Sequence, residues 1–197
     1  MPAFEQIPKP IPASIAHSAE LAYLVNLAGE GLPYYLWSQI AEPGESPFEV
    51  GKQRACRESG GFSYRHAWVI EREQKAVSAI VGYPLQHEET ESETDATSPI
   101  APLLELEALA GASWYVNVLA TFKDFRCQGM GSLLLNHVEQ LAIDSGCRDM
   151  SLIVSSNNTS ARNLYQSLGY QTRACRPSVP FPDSGSIGKW ELMMKAL

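Results

Sequence analysis

The segment Arg126-Cys127-Gln128-Gly129-Met130-Gly131-Ser132 has the residue spacing with the clearest chemical use in this sequence. Glycine lets a backbone come close to a ligand, and the unsatisfied N–H groups of a helix's first turn hold an anion. A glycine pair where a buried strand gives way to a helix therefore suits a pyrophosphate. Two familiar nucleotide motifs fail here. A P-loop needs Lys and then Ser or Thr after its last glycine, whereas Gly131 is followed by Ser132 and Leu133. The dinucleotide fingerprint needs a third glycine where Leu134 stands. Downstream, Asn158, Ala161 and Tyr165 share a second segment, in which Asn158 can cap a helix and Tyr165 places a phenol on it. Each feature alone has a plain structural use: a strand-to-helix turn, a surface charge at Arg126, a cap, a core aromatic.

The flanking patterns supply the elements that would hold these groups. Residues 114–121 form a nearly continuous apolar run, the mark of a strand buried on both faces. From 129 to 144, Met130, Leu133, Leu134, Val138, Leu141 and Ala142 fall on one helical face, and Gly146 stops the helix. A strand over 150–154, a helix capped at Asn158 or Ser160 and ended by Gly169, and strands over 170–175 and 189–194 follow. Upstream, Ser18 caps a first helix that stops at Gly29 and Gly31, and Tyr34, Tyr35, Trp37 and Ile40 suggest a second, ended by Pro43-Gly44. Residues 48–56 suggest a third helix, and 67–71 with 76–85 a hairpin. The expected fold is mixed α/β (α+β) in a single domain over 1–197, with one central sheet.

Composition narrows the function. With 197 residues, 45% hydrophobic and 19% charged, the chain is long enough for a sizeable core. A net charge of −7 argues against a nucleic-acid partner, because phosphate contacts need clustered Lys and Arg. Cys56, Cys127, Cys147 and Cys175 form no C-x-x-C pair, so neither a metal site nor a disulfide framework is expected, and reduced thiols suit a cytoplasmic location. No run approaches eighteen apolar residues, so no membrane span is expected. Residues 1–12 are Pro-rich, and residues 86–99, with Glu88, Glu89, Glu91, Glu93 and Asp95, read as an acidic mobile loop.

Arg126-x-x-Gly129-x-Gly131 resembles the coenzyme A motif of the GNAT family of N-acetyltransferases, and Asn158-Thr159-Ser160-Ala161-Arg162-Asn163-Leu164-Tyr165 with Gly169-Tyr170 resembles its second signature. The match covers residues 114–170, and Leu192-Met193-Met194-Lys195-Ala196-Leu197 looks like the closing strand. The resemblance implies a mostly antiparallel sheet, splayed at a bulge between strands 4 and 5, with helices on both faces and acetyl-CoA as co-substrate. The pantetheine arm would lie along Leu119, Ala120 and Thr121 like an added strand. The pyrophosphate would sit on the N–H groups of Cys127, Gln128, Gly129, Met130, Gly131 and Ser132, with Arg126, Asn158 and Ala161 beside the coenzyme. Transfer would be direct attack by a neutral amine, without an acetyl-enzyme, and Tyr165 would protonate the departing thiolate: its ordinary pKa of about 10 exceeds the roughly 8.5 of a thiol.

No base follows from the resemblance. The two positions that often carry Glu in relatives hold Asn117 and Ile153 here, which leaves a water chain or Glu105 or Glu107 for that role. Asn117, Tyr34, Tyr35 and Trp37 are candidates for an acceptor site. The expected function is acetyl transfer to a primary amine, on a small molecule or on a protein N-terminus or lysine; a homodimer is left open. The alternative is a non-catalytic acyl-CoA sensor, which needs no base. Tyr165 speaks against it, since a sensor needs no proton donor.

Overall fold

The computed structural model describes residues 7–85, 95–185 and 188–197. The mobile-loop expectation for 86–99 falls mainly on 86–94, outside the described residues. One seven-stranded sheet contains β1 (Ile11–Pro12), β2 (Ala67–Arg72), β3 (Lys75–Pro84), β4 (Trp114–Thr121), β5 (Asp149–Ser155), β6 (Gln171–Pro177) and β7 (Lys189–Ala196), in the order β1-β2-β3-β4-β5-β7-β6. Every neighbouring pair is antiparallel except β4 and β5. The β2–β3 hairpin closes through Glu73 and Gln74, both at positive φ (49° and 63°), as a two-residue turn of type I′ requires.

Among the described residues six α-helices cover the two faces: α1 (Ser18–Ala28), α2 (Leu32–Ser38), α3 (Pro47–Ala55), α4 (Ala101–Ala108), α5 (Met130–Asp144) and α6 (Thr159–Ser167). Leu134, Leu135, Val138 and Ala142 of α5 and Tyr165 of α6 pack on Ile80, Val116, Met150, Leu152 and Met193. On the opposite face Leu21, Leu24 and Val25 of α1 pack with Val50 on Val69, Ala79 and Val81, and α4 sets Leu106 against Trp190 and Leu192. The mixed α/β architecture agrees with the expectation. One helix was not anticipated: the residues that carry the base candidates Glu105 and Glu107 form α4, with Pro102 in its first turn, where a missing N–H costs nothing.

The register of β4 changes halfway. Val81 pairs with Val118 and Gly82 with Val116, so Asn117 is an extra residue without a β3 partner, a β-bulge. Side chains alternate along a strand, so one extra residue turns the remainder over. Trp114 and Val116 accordingly lie in the α5 layer, whereas Val118 and Ala120, of the same parity, lie in the α1 layer. Gly82 belongs to this device: a Cβ there would come 2.7 Å from Trp114 Nε1 and 3.1 Å from the Tyr115 carbonyl oxygen.

Candidate active site

The bulge and a strand splay coincide. β4 and β5 pair only through Trp114–Met150, Tyr115–Ser151 and Val116–Leu152, and beyond that point neither strand has a partner on the other. A buried hydroxyl pair, Ser113 Oγ to Ser151 Oγ at 2.6 Å, ties the closed end. Asn117 to Thr121 on one side and Ile153 to Ser155 on the other then border a cleft of about 330 Å³. A strand edge left unpaired within a sheet offers its N–H and C=O groups to an extended ligand. Leu119, Ala120 and Thr121 line this slot, as do Asn117 and Ile153. Ser78, fully buried on β3, donates to the Ala120 carbonyl (3.0 Å) and bonds Thr121 Oγ1 (2.7 Å), holding the β4 end in place.

The slot runs into the turn between β4 and α5. Cys127 and Gly129 both have positive φ, 59° and 83°, so the chain reverses twice before α5 begins. Leu133 is the first residue of the helix to donate backward, to the Gly129 carbonyl at 3.0 Å, which leaves the N–H groups of Met130, Gly131 and Ser132 without an intrahelical acceptor. Arg126 turns its Nε back onto the Thr121 carbonyl (3.0 Å) and so braces the turn from within. At Gly131 a Cβ would stand 3.3 Å from Leu164 Cδ2, the closeness with which α6 meets the first turn of α5. Arg126, Cys127, Gly129, Met130, Gly131 and Ser132 all line the cleft; Gln128 lines a separate recess with Phe122 and Glu73.

α6 forms the third wall. Asn158 Oδ1 accepts from the Ala161 N–H (3.1 Å), so its side chain is occupied as the helix cap while it lines the cleft together with Ala161. Tyr165 also lines the cleft and is 7% exposed. Burial holds its phenol well above the ordinary tyrosine range, because the charged phenolate would be poorly solvated there. The group is therefore a protonated donor at any physiological pH.

The other sequence candidates lie elsewhere. Glu105 is on α4 and pairs with Arg176 Nε at 2.6 Å. Glu107, also on α4, is partly buried; burial raises its carboxyl, an effect that the neighbouring Tyr115 hydroxyl opposes. Neither lines the slot. Trp37 is not a lining residue but core, 4% exposed, its ring stacked on Phe62 at 6.0 Å and so close to Gly51 that a Cβ there would be 2.5 Å away. Tyr34 packs against Phe48 at the surface, and Tyr35 stacks on Phe181 at 5.4 Å. Phe181 borders a second cleft, of about 230 Å³, which shares the lining residue Ser155 with the slot and is also lined by Glu30, Leu32, Lys189 and Trp190. Sequence reasoning did not single these residues out; the glycines flanking Glu30 were the available signal. Among the described residues, no cluster of His, Cys, Asp or Glu could hold a metal ion, and no helix is long and apolar enough to cross a membrane.

The described geometry can be set beside known proteins. A thialysine N-epsilon-acetyltransferase from Bos taurus is 34% identical over 61 residues, which is 31% of this chain and 36% of that protein's length. A solved acetyltransferase superposes with a TM-score of 0.67 at 20% identity, covering 96% of this chain and 99% of its own. An N-acetyltransferase from Staphylococcus aureus Mu50 does so with a TM-score of 0.63 at 18% identity, over 95% and 100%. These two likenesses establish the fold. The sequence profile of the Acetyltransferase (GNAT) family matches residues 34–170, which takes in the bulged strand, the turn into α5 and the Tyr165 helix. The chain belongs to the GNAT acetyltransferase family.

Proposed function

We propose that this protein is an acetyl-CoA-dependent N-acetyltransferase acting on a primary amine, with the whole chain as one domain around the single sheet. The observation that carries the reading is the continuity of three features: an unpaired strand edge, a glycine turn with free helix N–H groups, and a buried phenol, all on one cleft. The residues fit the coenzyme. The β4 edge from Asn117 to Thr121 offers backbone partners to the pantetheine amides, and Met130, Gly131 and Ser132 offer donors, with the helix dipole favouring a pyrophosphate. At Gly131 a Cβ would press on the end of the Leu164 side chain at 3.3 Å, so the absence of a side chain keeps α6 close to this turn.

When bound, acetyl-CoA supplies the acetyl group as an activated thioester. The chain's own part is to hold the acyl donor along β4, exclude water with the apolar walls of Leu119, Leu152 and Val154, and keep a proton on Tyr165 for the leaving sulfur. The second cleft, which shares the lining residue Ser155 with the slot and is walled by Leu32, Phe181 and Trp190, is the place for the acceptor. The amine reading is supported by the relative that acts on thialysine, itself an amine.

A thermal-shift titration with acetyl-CoA tests the binding claim, since a ligand selective for the folded state raises its stability by mass action. A free-thiol release assay over a panel of small amines and peptides then tests transfer. No shift at millimolar acetyl-CoA would defeat the assignment.

A further inference from the structure

The α1–α2 turn holds a residue in a conformation that its neighbours were better suited to adopt. The Gly31 N–H donates to the Asn26 carbonyl at 3.1 Å across the end of α1, the six-to-one bond of a Schellman cap. That cap puts its left-handed residue at the position after the C-cap, where glycine is the usual occupant. Here the position falls on Glu30, with φ 52°, although glycines stand on both sides of it. Left-handed backbone is unfavourable for a residue with a Cβ, so Glu30 is held there at a cost that a glycine would not carry.

A use for the Glu30 side chain is legible in what it faces. It lines the second cleft on the side next to the slot: Leu27 and Ala28, just before the turn, line the slot, and Gly29 and Glu30 line the cleft. The Glu30 side chain is exposed and has neither an ion pair nor a hydrogen bond among the described residues. It is the cleft's one carboxylate among those residues, and Lys189 is its one cationic side chain. Of the remaining walls, Leu32, Val179, Phe181 and Trp190 form the apolar part and Ser155, Asn157, Ser178 and Ser184 the polar part. An unpaired carboxylate at the mouth of a small cleft with an apolar wall matches an ammonium group on a short carbon body.

We propose that Glu30 is the carboxylate that receives the acceptor ammonium and takes the proton it must lose, and that the acceptor is a small primary amine with an apolar body. This rests on the acetyltransferase reading and names the base which that reading lacks. An N–H bond of the ammonium breaks, and its proton passes to Glu30. The freed lone pair forms the new C–N bond as the thioester C–S bond breaks, the sulfur takes the Tyr165 proton, and the surplus proton of the newly acylated nitrogen passes to solvent. Glu30 and Tyr165 then recover their starting states by exchange with solvent.

The conformation of Glu30 supplies a test that separates function from structure. Glu30→Gly relieves the left-handed backbone and removes the carboxylate, and Glu30→Gln removes only the charge. Gln74→Gly, at the β2–β3 turn with φ 63°, is the control for relief of backbone alone. Glu30→Gly and Gln74→Gly should each raise Tm by about 2–4 °C. All variants should keep the stabilisation by acetyl-CoA. Both Glu30 variants should lose kcat/KM toward small primary amines by at least about 100-fold, while Gln74→Gly keeps it. A Glu30→Gly enzyme that is more stable and transfers acetyl at the wild-type rate would overturn the proposal. So would a wild-type protein that binds acetyl-CoA but turns over no small amine. Loss of acetyl-CoA binding by the wild type would instead strike the underlying reading.

Discussion

Replacing Tyr165 by Phe removes one oxygen from the wall of the slot and nothing else. The ring stays in its place beside Tyr170, 5.9 Å away, and the lost hydroxyl leaves no partner orphaned, since it has no hydrogen bond among the described residues. The stability change should therefore stay below about 1 kcal/mol. The effect on turnover should be larger, because a positioned proton donor contributes about 10²–10⁴-fold, or about 3–5 kcal/mol of barrier. Burial keeps the wild-type phenol protonated well past its ordinary range, so its contribution should be the same from about pH 6 to 9. The measurement is the initial rate of thiol release by both enzymes across that range, with acetyl-CoA saturating, alongside a urea denaturation curve. A variant within about threefold of wild-type kcat, equally folded, would refute the general-acid role of Tyr165.

Gly129 has φ +83°, so Gly129→Ala should cost roughly 1–2 kcal/mol from the backbone alone. Its new Cβ, 3.5 Å from Ile7 Cδ1, adds only ordinary contact; the thermal shift given by acetyl-CoA should shrink, and an unchanged shift would argue against the turn as the coenzyme's seat. Gly51→Ala would drive a Cβ to 2.5 Å from the Trp37 ring, and overpacking of about 1–3 kcal/mol should appear as a lower urea midpoint. Glu107 carries a carboxyl raised by burial, so the folded state binds a proton more tightly than the unfolded one. Its contribution to stability therefore falls as pH climbs from the unfolded to the folded pKa. Glu107→Gln should accordingly be more stable than wild type at neutral pH and lose that advantage in acid, as paired melting curves would show.

The features legible in the sequence were the ones built from neighbours along the chain. Gly129 and Gly131 next to an apolar run, and Asn158 three residues before Ala161, announce a turn and a cap without knowledge of anything distant. The expected strands, the long helix and the order of elements followed from periodicity for the same reason. The bulge at Asn117 did not, because nothing around Asn117 is a glycine or a proline; the glycine that permits it, Gly82, is on the neighbouring strand against Trp114. Trp37 was read as a lining candidate because an aromatic on a short helix suits a pocket wall and a core alike, and only Gly51, on a different helix, decides between them. α4 was overlooked because its eight residues follow an acidic stretch and carry a weak apolar stripe. Glu30 was hidden between two glycines that appeared to account for the turn by themselves.

The extra residue at Asn117 makes the slot a matter of counting. Deleting Asn117 would leave β4 free to alternate without interruption, with Val118 and Ala120 still toward α1 and Leu119 still toward α5. Such a chain keeps its apolar pattern and every other element, so it could still fold around a continuous sheet. What it would lose is the divergence from β5, and with it the opening that a coenzyme arm requires. In this protein a single unit of chain length, rather than any particular side chain, separates a closed sheet from one with a door in it.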